Sequence, residues 1–205
     1  MLICFFDSQG TVHTEFVPQG QTVNQFYYRE ILERLRKRVV RVRPPSIANN
    51  WMLHHDNAPC NMAISAIKFL AKKGIPVVPQ YPYSPDLSPC DFFLLPKLKF
   101  HLKGRYFGMV ENIEKAVTNQ LKAILVSNFQ HCYEEWEQRL RRCGASQGNY
   151  SEGDKLDLYF KNKYRIILNQ SHYFIYRPRI QAEFALVCCV IFGRLNTVES
   201  HLRLP

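Results

Sequence analysis

An α/β fold follows from three observations in the sequence. Trp51–His54 and Ile75–Val78 are short strand-like runs on either side of an amphipathic stretch, the strand–helix–strand alternation of an α/β unit. Leu2–Phe6 and Thr11–Val17 are two further apolar or β-branched runs around a turn cluster, Asp7-Ser8-Gln9-Gly10, which reads as a hairpin. Hydrophobic residues make up 46% of the 205 and charged ones 21%, enough apolar material for one good core and too much for wholesale disorder.

The remaining elements follow in order. Pro18-Gln19-Gly20 ends the hairpin, and Thr22 is the predicted cap of a helix whose apolar stripe is Tyr27, Ile31, Leu35 and Val39. Pro44-Pro45 separates that helix from Trp51–His54, and His55-Asp56-Asn57-Ala58-Pro59 is a turn. Ala63, Ile64, Ile67, Phe69 and Leu70 carry the next helix, with Gly74 where a terminator belongs. Pro79 to Pro89 is rich in breakers and reads as a rigid loop. Ser88-Pro89-Cys90-Asp91 then has the signature of a helix start, and Phe92, Leu95, Leu98 and Leu102 follow at helical spacing, with a kink predicted at Pro96. Two more helices are marked by Ile113, Val117, Leu121 and Ile124, and by Phe129, Cys132, Trp136, Leu140 and Cys143, with Gly144 closing the second. From Tyr159 to Pro205 the texture changes to aromatic, apolar and basic residues without a clean period. The predicted division is a domain over 1–158 and an unrelated tail over 159–205.

Lys and Arg number 27 against 17 Asp and Glu, a formal charge of +10, which favours a polyanionic partner and nucleic acid before membrane. The densest basic stretch is Arg34, Arg36, Lys37, Arg38, Arg41 and Arg43. These six are candidate DNA-phosphate contacts, and equally a solvated helix face. Seven scattered cysteines form no metal-binding or redox spacing and suit a reducing compartment. No stretch reads as a signal peptide, and Phe184–Phe192 is about half the length that crosses a bilayer.

Asp56 lies just past one strand-like run and Asp91 heads a helix, with thirty-four residues (57–90) between them. Phosphodiester cleavage needs charge stabilisation on the attacking and leaving oxygens, which two Mg²⁺ ions held by carboxylates supply. A strand-end aspartate and a helix aspartate can face each other across such a site. Each also has a plainer reading, Asp56 as an Asx-turn residue and Asp91 as the acidic member of a capping box.

The string His55-Asp56-Asn57-Ala58-Pro59, the motif Tyr83-Ser84-Pro85-Asp86-Leu87, and Asp91 at its spacing from Asp56 together resemble the catalytic domain of mariner-type transposases. The resemblance runs from about Leu2 to Asp154. It implies an RNase H-like mixed sheet flanked by helices, with Asp56 and Asp91 as the second and third of three metal-binding catalytic aspartates. It implies Mg²⁺ or Mn²⁺ as cofactor and DNA as partner. A homodimer, a nuclear location, and no membrane or small-molecule substrate follow from the same source. His55 and Asn57 would shape the Asp56 turn, and Tyr83, Ser84, Pro85 and Asp86 would support the site structurally.

The chain departs from the family where the first aspartate belongs. That residue lies on the first, central strand of the family's sheet, and this chain begins at the residues matching the second. Asp7 falls in the hairpin turn and does not match the motif. The expectation is therefore a sheet lacking its central strand, derived from a DNA cut-and-paste enzyme and inactive as this chain. The alternatives are a basic DNA-binding module without enzymatic activity and a decayed element without function. Such a sheet would be unstable or aggregation-prone unless another strand completed it.

Overall fold

A computed structural model describes residues 1–145 and 185–192. One five-stranded mixed sheet runs β2-β1-β5-β3-β4, built from β1 (Leu2–Asp7), β2 (Gly10–Phe16), β3 (Trp51–His54), β4 (Val77–Val78) and β5 (Ala185–Phe192). The hairpin β1–β2 forms where the sequence places it. Its turn closes at Gly10, whose φ of 114° a side chain rarely adopts, with a bulge between Phe5 and Phe6.

One face of the sheet carries α1 (Gln25–Val42) and α3 (Ile64–Lys72), and the four-residue helix α2 (Pro45–Ala48) leads from α1 into β3. Ile3 and Phe5 of β1 and Trp51 and Leu53 of β3 bury against Tyr28, Ile31, Leu32, Leu35 and Val39 of α1. The other face carries α4 (Leu95–Leu102), α5 (Val110–Ala123) and α6 (Val126–Ala145). There Leu2, Cys4 and Phe6 meet Leu94, Leu98, Val117, Phe129 and Trp136. The period-two alternation of β1 thus feeds two cores, and all six of its residues are buried.

Several local expectations shift. Asn24, not Thr22, caps α1, its Oδ1 accepting from the N–H groups of Phe26 and Tyr27 at 3.0 Å each. Both residue types cap well, and the hydrogen bonds rather than composition decide. Ser88 makes no side-chain cap. Its carbonyl accepts instead from the N–H groups of Asp91 and Phe92, as a π-helical turn, Cys90–Leu94, leads directly into α4. In that turn the Leu95 N–H reaches Cys90 O, so the missing donor of Pro96 falls where the ladder is already irregular. Gly74 ends α3 as predicted, at φ 67°, whereas α6 runs through Gly144 to Ala145.

The largest correction concerns the tail. The boundary at 158/159 lies outside the described residues, but Ala185–Phe192, assigned to an unrelated tail, is the middle strand of the sheet. It pairs antiparallel with β1 and parallel with β3, so the central position expected to be vacant is filled. A strand buried on both faces shows no polar–apolar alternation, which is why composition alone did not mark it. Among the described residues no helix is long and apolar enough to cross a membrane.

Candidate functional site

The site is built where β3 ends. Its last residue, His54, is buried, with Nδ1 3.3 Å from the Val78 carbonyl and its ring 5.1 Å from that of Trp136. His55 is also buried, stacked on Tyr28 with ring centroids 6.0 Å apart, and its Nδ1 shares a 3.0 Å hydrogen bond with the Tyr28 hydroxyl. Burial pushes the His55 imidazole down to about 4, with His54 adding to the shift and Asp56 opposing it. Burial lowers His54 as well, against the Val78 carbonyl, Gln80 and Asp56. Both rings are therefore neutral at pH 7, uncharged neighbours of an aspartate.

These anchored rings turn Asp56 outward. Asp56 is exposed, and its Oδ1 accepts from the Ala58 N–H at 3.0 Å and from the buried Asn61 amide at 2.6 Å. The Asx-turn reading of Asp56 is thus realised, with Oδ1 as the acceptor. Asn57 does shape the neighbourhood, its Nδ2 donating to the Gln80 carbonyl at 2.9 Å. Gln80 in turn donates to the Ser84 carbonyl at 2.7 Å, which ties the Asp56 turn to the Tyr83–Leu87 motif. Asn57, Met62, Gln80, Pro82 and Tyr83 line an open groove there. Tyr83 stands fully exposed with φ 55°, a conformation that a bulky residue adopts only under constraint.

The second aspartate sits on the π-helical turn. Asp91 is exposed, between the buried Cys90 and the half-buried Phe92. Two residues of α6 bracket this turn and the loop before it. Trp136 donates its indole N–H to the Leu87 carbonyl at 2.7 Å. Arg139 donates to the Asp86 carbonyl at 3.3 Å and lies 4.3 Å from the centre of the Phe92 ring. Asp86 contributes its backbone, and Pro85 begins a single 3₁₀ turn. Asn61, Trp136 and Arg139 were absent from the sequence-based candidates. The signal that could have found Trp136 is chemical: a buried indole N–H requires an acceptor.

The basic helix looks different in three dimensions. Arg43, at the end of α1, forks onto Asp7 with Nε–Oδ2 and Nη2–Oδ1 distances of 2.8 Å each, and the Asp7 side chain is 1% exposed. Arg34 makes a bidentate pair with Glu15, and Arg36 one with Glu33. Burial works against the Glu15 carboxylate, but hydrogen bonds from Arg34 and His13 outweigh it and hold it below its ordinary range. Arg38 donates to the Val12 carbonyl. Lys37 and Arg41 remain exposed, without an ion pair among the described residues.

The fold is that of an RNase H-like α/β domain, and it matches the catalytic domains of transposases. Residues 1–48 match the family described as "Transposase (partial DDE domain)". The Mariner Mos1 transposase of Drosophila mauritiana is 29% identical over 154 residues, covering 74% of this chain and 45% of the relative. The crystal structure of the Mos1 catalytic domain superposes with a TM-score of 0.68 at 28% identity, over 73% of this chain and 74% of that one. The Mos1 paired-end complex with Mn gives 0.69 at 28% identity, over 74% and 44%. The chain is thus related to the mariner-type transposases, and what it matches is part of their catalytic domain. It spans less than half the length of the curated relatives.

Mos1 catalytic domains have been solved with Mn and with Mg. Among the described residues of this chain, no group of three or more His, Cys, Asp or Glu side chains is placed to hold a metal ion. The described residues therefore do not by themselves supply the three-carboxylate cage that the family resemblance implies. Asp56 and Asp91 are two exposed carboxylates on separately anchored turns.

Proposed function

We propose that this chain is a DNA-binding protein of the mariner-type transposase lineage that does not cleave DNA. The observation that carries this reading is the composition of the strand in the central position. Ala185–Phe192 reads ALVCCVIF and offers no carboxylate where the resemblance expects the first catalytic aspartate. Asp7, the nearest acidic residue on β1, is committed to Arg43 and cannot take that place without stranding a buried guanidinium. Asp56 and Asp91 are the retained second and third ligands. Two carboxylates balance less of the charge of an Mg²⁺ pair than three, so divalent metal binds here weakly or singly.

Purified protein incubated with supercoiled plasmid and Mg²⁺ or Mn²⁺ is expected to leave it intact. Metal-dependent nicking that disappears in Asp56→Ala would overturn the reading.

The DNA-binding half rests on the net charge of +10 and on Lys37 and Arg41, which are exposed and make no ion pair among the described residues. Binding to duplex DNA should weaken steeply with salt. Lys37→Glu with Arg41→Glu should lower affinity about tenfold or more at low salt and flatten the salt dependence by roughly two counterions. Equal binding by the double variant and the parent would remove α1 from the interface. The same lineage points to a dimer on DNA and a nuclear location. Light scattering of the DNA complex tests the first and cell fractionation the second. Only monomers on DNA, or exclusion from the nuclear fraction, would count against them.

A further inference from the structure

Among the described residues the two halves of the sheet meet only through β5. In the order β2-β1-β5-β3-β4, every ladder hydrogen bond between the hairpin and the β3–β4 pair passes through that strand. Its registers run from Leu2↔Phe192 to Phe6↔Cys188 on one side and from Trp51↔Ala185 to His54↔Cys188 on the other. The flanking positions are dry: Leu2, Ile3, Cys4, Phe5, Phe6 and Leu53 are at most 1% exposed. Backbone groups buried this deeply need partners along both edges.

The strand matches the position chemically. ALVCCVIF has no charge, no proline and no glycine, the make-up of a strand buried on both faces. Val187 joins the core under α1 and α3, while Cys188 joins the core under α4, α5 and α6. A polar latch fixes the second face, since the Tyr133 hydroxyl lies 3.3 Å from both the Phe6 carbonyl oxygen and Cys188 Sγ. A one-residue slip would exchange Val187 and Cys188 between the cores and break the latch, so these contacts set the register.

We propose that β1 and β3 frame an acceptor slot for one extended apolar strand, and that Ala185–Phe192 is its donor in cis. The donor is recognised by ladder, sockets and latch. Thirty-nine residues (146–184) separate it from α6, so no short turn fixes its register. Attachment to the same chain makes filling the slot an intramolecular event, so at μM protein its own strand fills the slot ahead of one from a second copy. This inference is independent of whether the protein binds DNA.

The full chain supplies the test. Val190→Cys puts a cysteine at the backbone position paired with Cys4. Mild oxidation should join the two within one chain, seen as a faster-migrating monomer on a non-reducing gel and as linked peptides by mass spectrometry. Links only between chains, or none at Cys4, overturn the proposal. In a second variant, Val187→Pro removes a ladder donor and the side chain filling one socket. Its soluble yield on refolding from urea should fall at least tenfold. A synthetic ALVCCVIF peptide flanked by lysines should restore it. An undiminished yield, or no recovery with peptide, would show that the slot does not select this strand.

Discussion

Asp7 and Asp56 sit beside the ends of the two strands that flank β5, and the fold puts them to opposite uses. Asp7 is the last residue of β1 and is sealed beneath a bidentate arginine at 1% exposure. Asp56 lies two residues beyond β3, lifted into solvent by a pair of buried histidines, with one oxygen tied into its own turn. The difference lies in the partners. α1 delivers a guanidinium to the first carboxylate, whereas uncharged rings and an amide surround the second. A carboxylate neutralised at 2.8 Å clamps hairpin to helix, and one left exposed stays available to a cation or to nothing.

That contrast can be broken most sharply at Asp7. Asp7→Ala leaves the Arg43 charge largely buried and unpaired, a loss of about 3–5 kcal/mol in unfolding free energy. Urea denaturation would measure it, and a loss below about 1 kcal/mol would mean that solvent compensates the guanidinium freely. Acid sharpens the other side. His55 is held at about 4 when folded, against about 6.5 when unfolded, so the unfolded chain takes up a proton first as pH falls. Stability contributed by the neutral ring is complete above pH 6.5 and is lost as pH falls from there toward 4. His55 accounts for about 3 kcal/mol of that loss, on the scale of the shift. Stability measured from pH 7 to 4.5 should fall in the parent and flatten in His55→Gln; parallel curves would place the proton elsewhere. The smallest effect belongs to Asp56. Asp56→Asn keeps an acceptor for the Ala58 N–H and Asn61, so stability should change by less than about 1 kcal/mol. A larger loss in thermal unfolding would make Asp56 a structural residue like Asp7.

Local patterns made much of this legible. The hairpin, the α1 stripe and the β3–α3–β4 unit follow from period and breakers, because each is decided within about twenty residues. The turn carrying Asp56 was equally visible, whereas the capping box read at Ser88 and Asp91 is a π-helical turn without a side-chain cap. What escaped was non-local. Arg43 looked like a phosphate contact because nothing in its surroundings announces Asp7, thirty-six residues earlier in the chain. Trp136 looked like one more core residue until its N–H met Leu87. β5 escaped most completely, since a two-sided strand lacks alternation and its partners lie more than a hundred residues upstream.

The position of β5 in the sequence also sets a timetable for synthesis. The hairpin and α1 to α6 are made before the strand that completes the sheet exists. At roughly 5–20 residues per second, the forty or so residues between α6 and β5 take about 2–8 seconds to translate. Through that interval the nascent chain carries two unsatisfied strand edges, each able to pair with whatever extended peptide is nearby. Chaperone demand should therefore peak late in translation, and a ribosome stalled between codons 145 and 185 should expose the most aggregation-prone form of this protein.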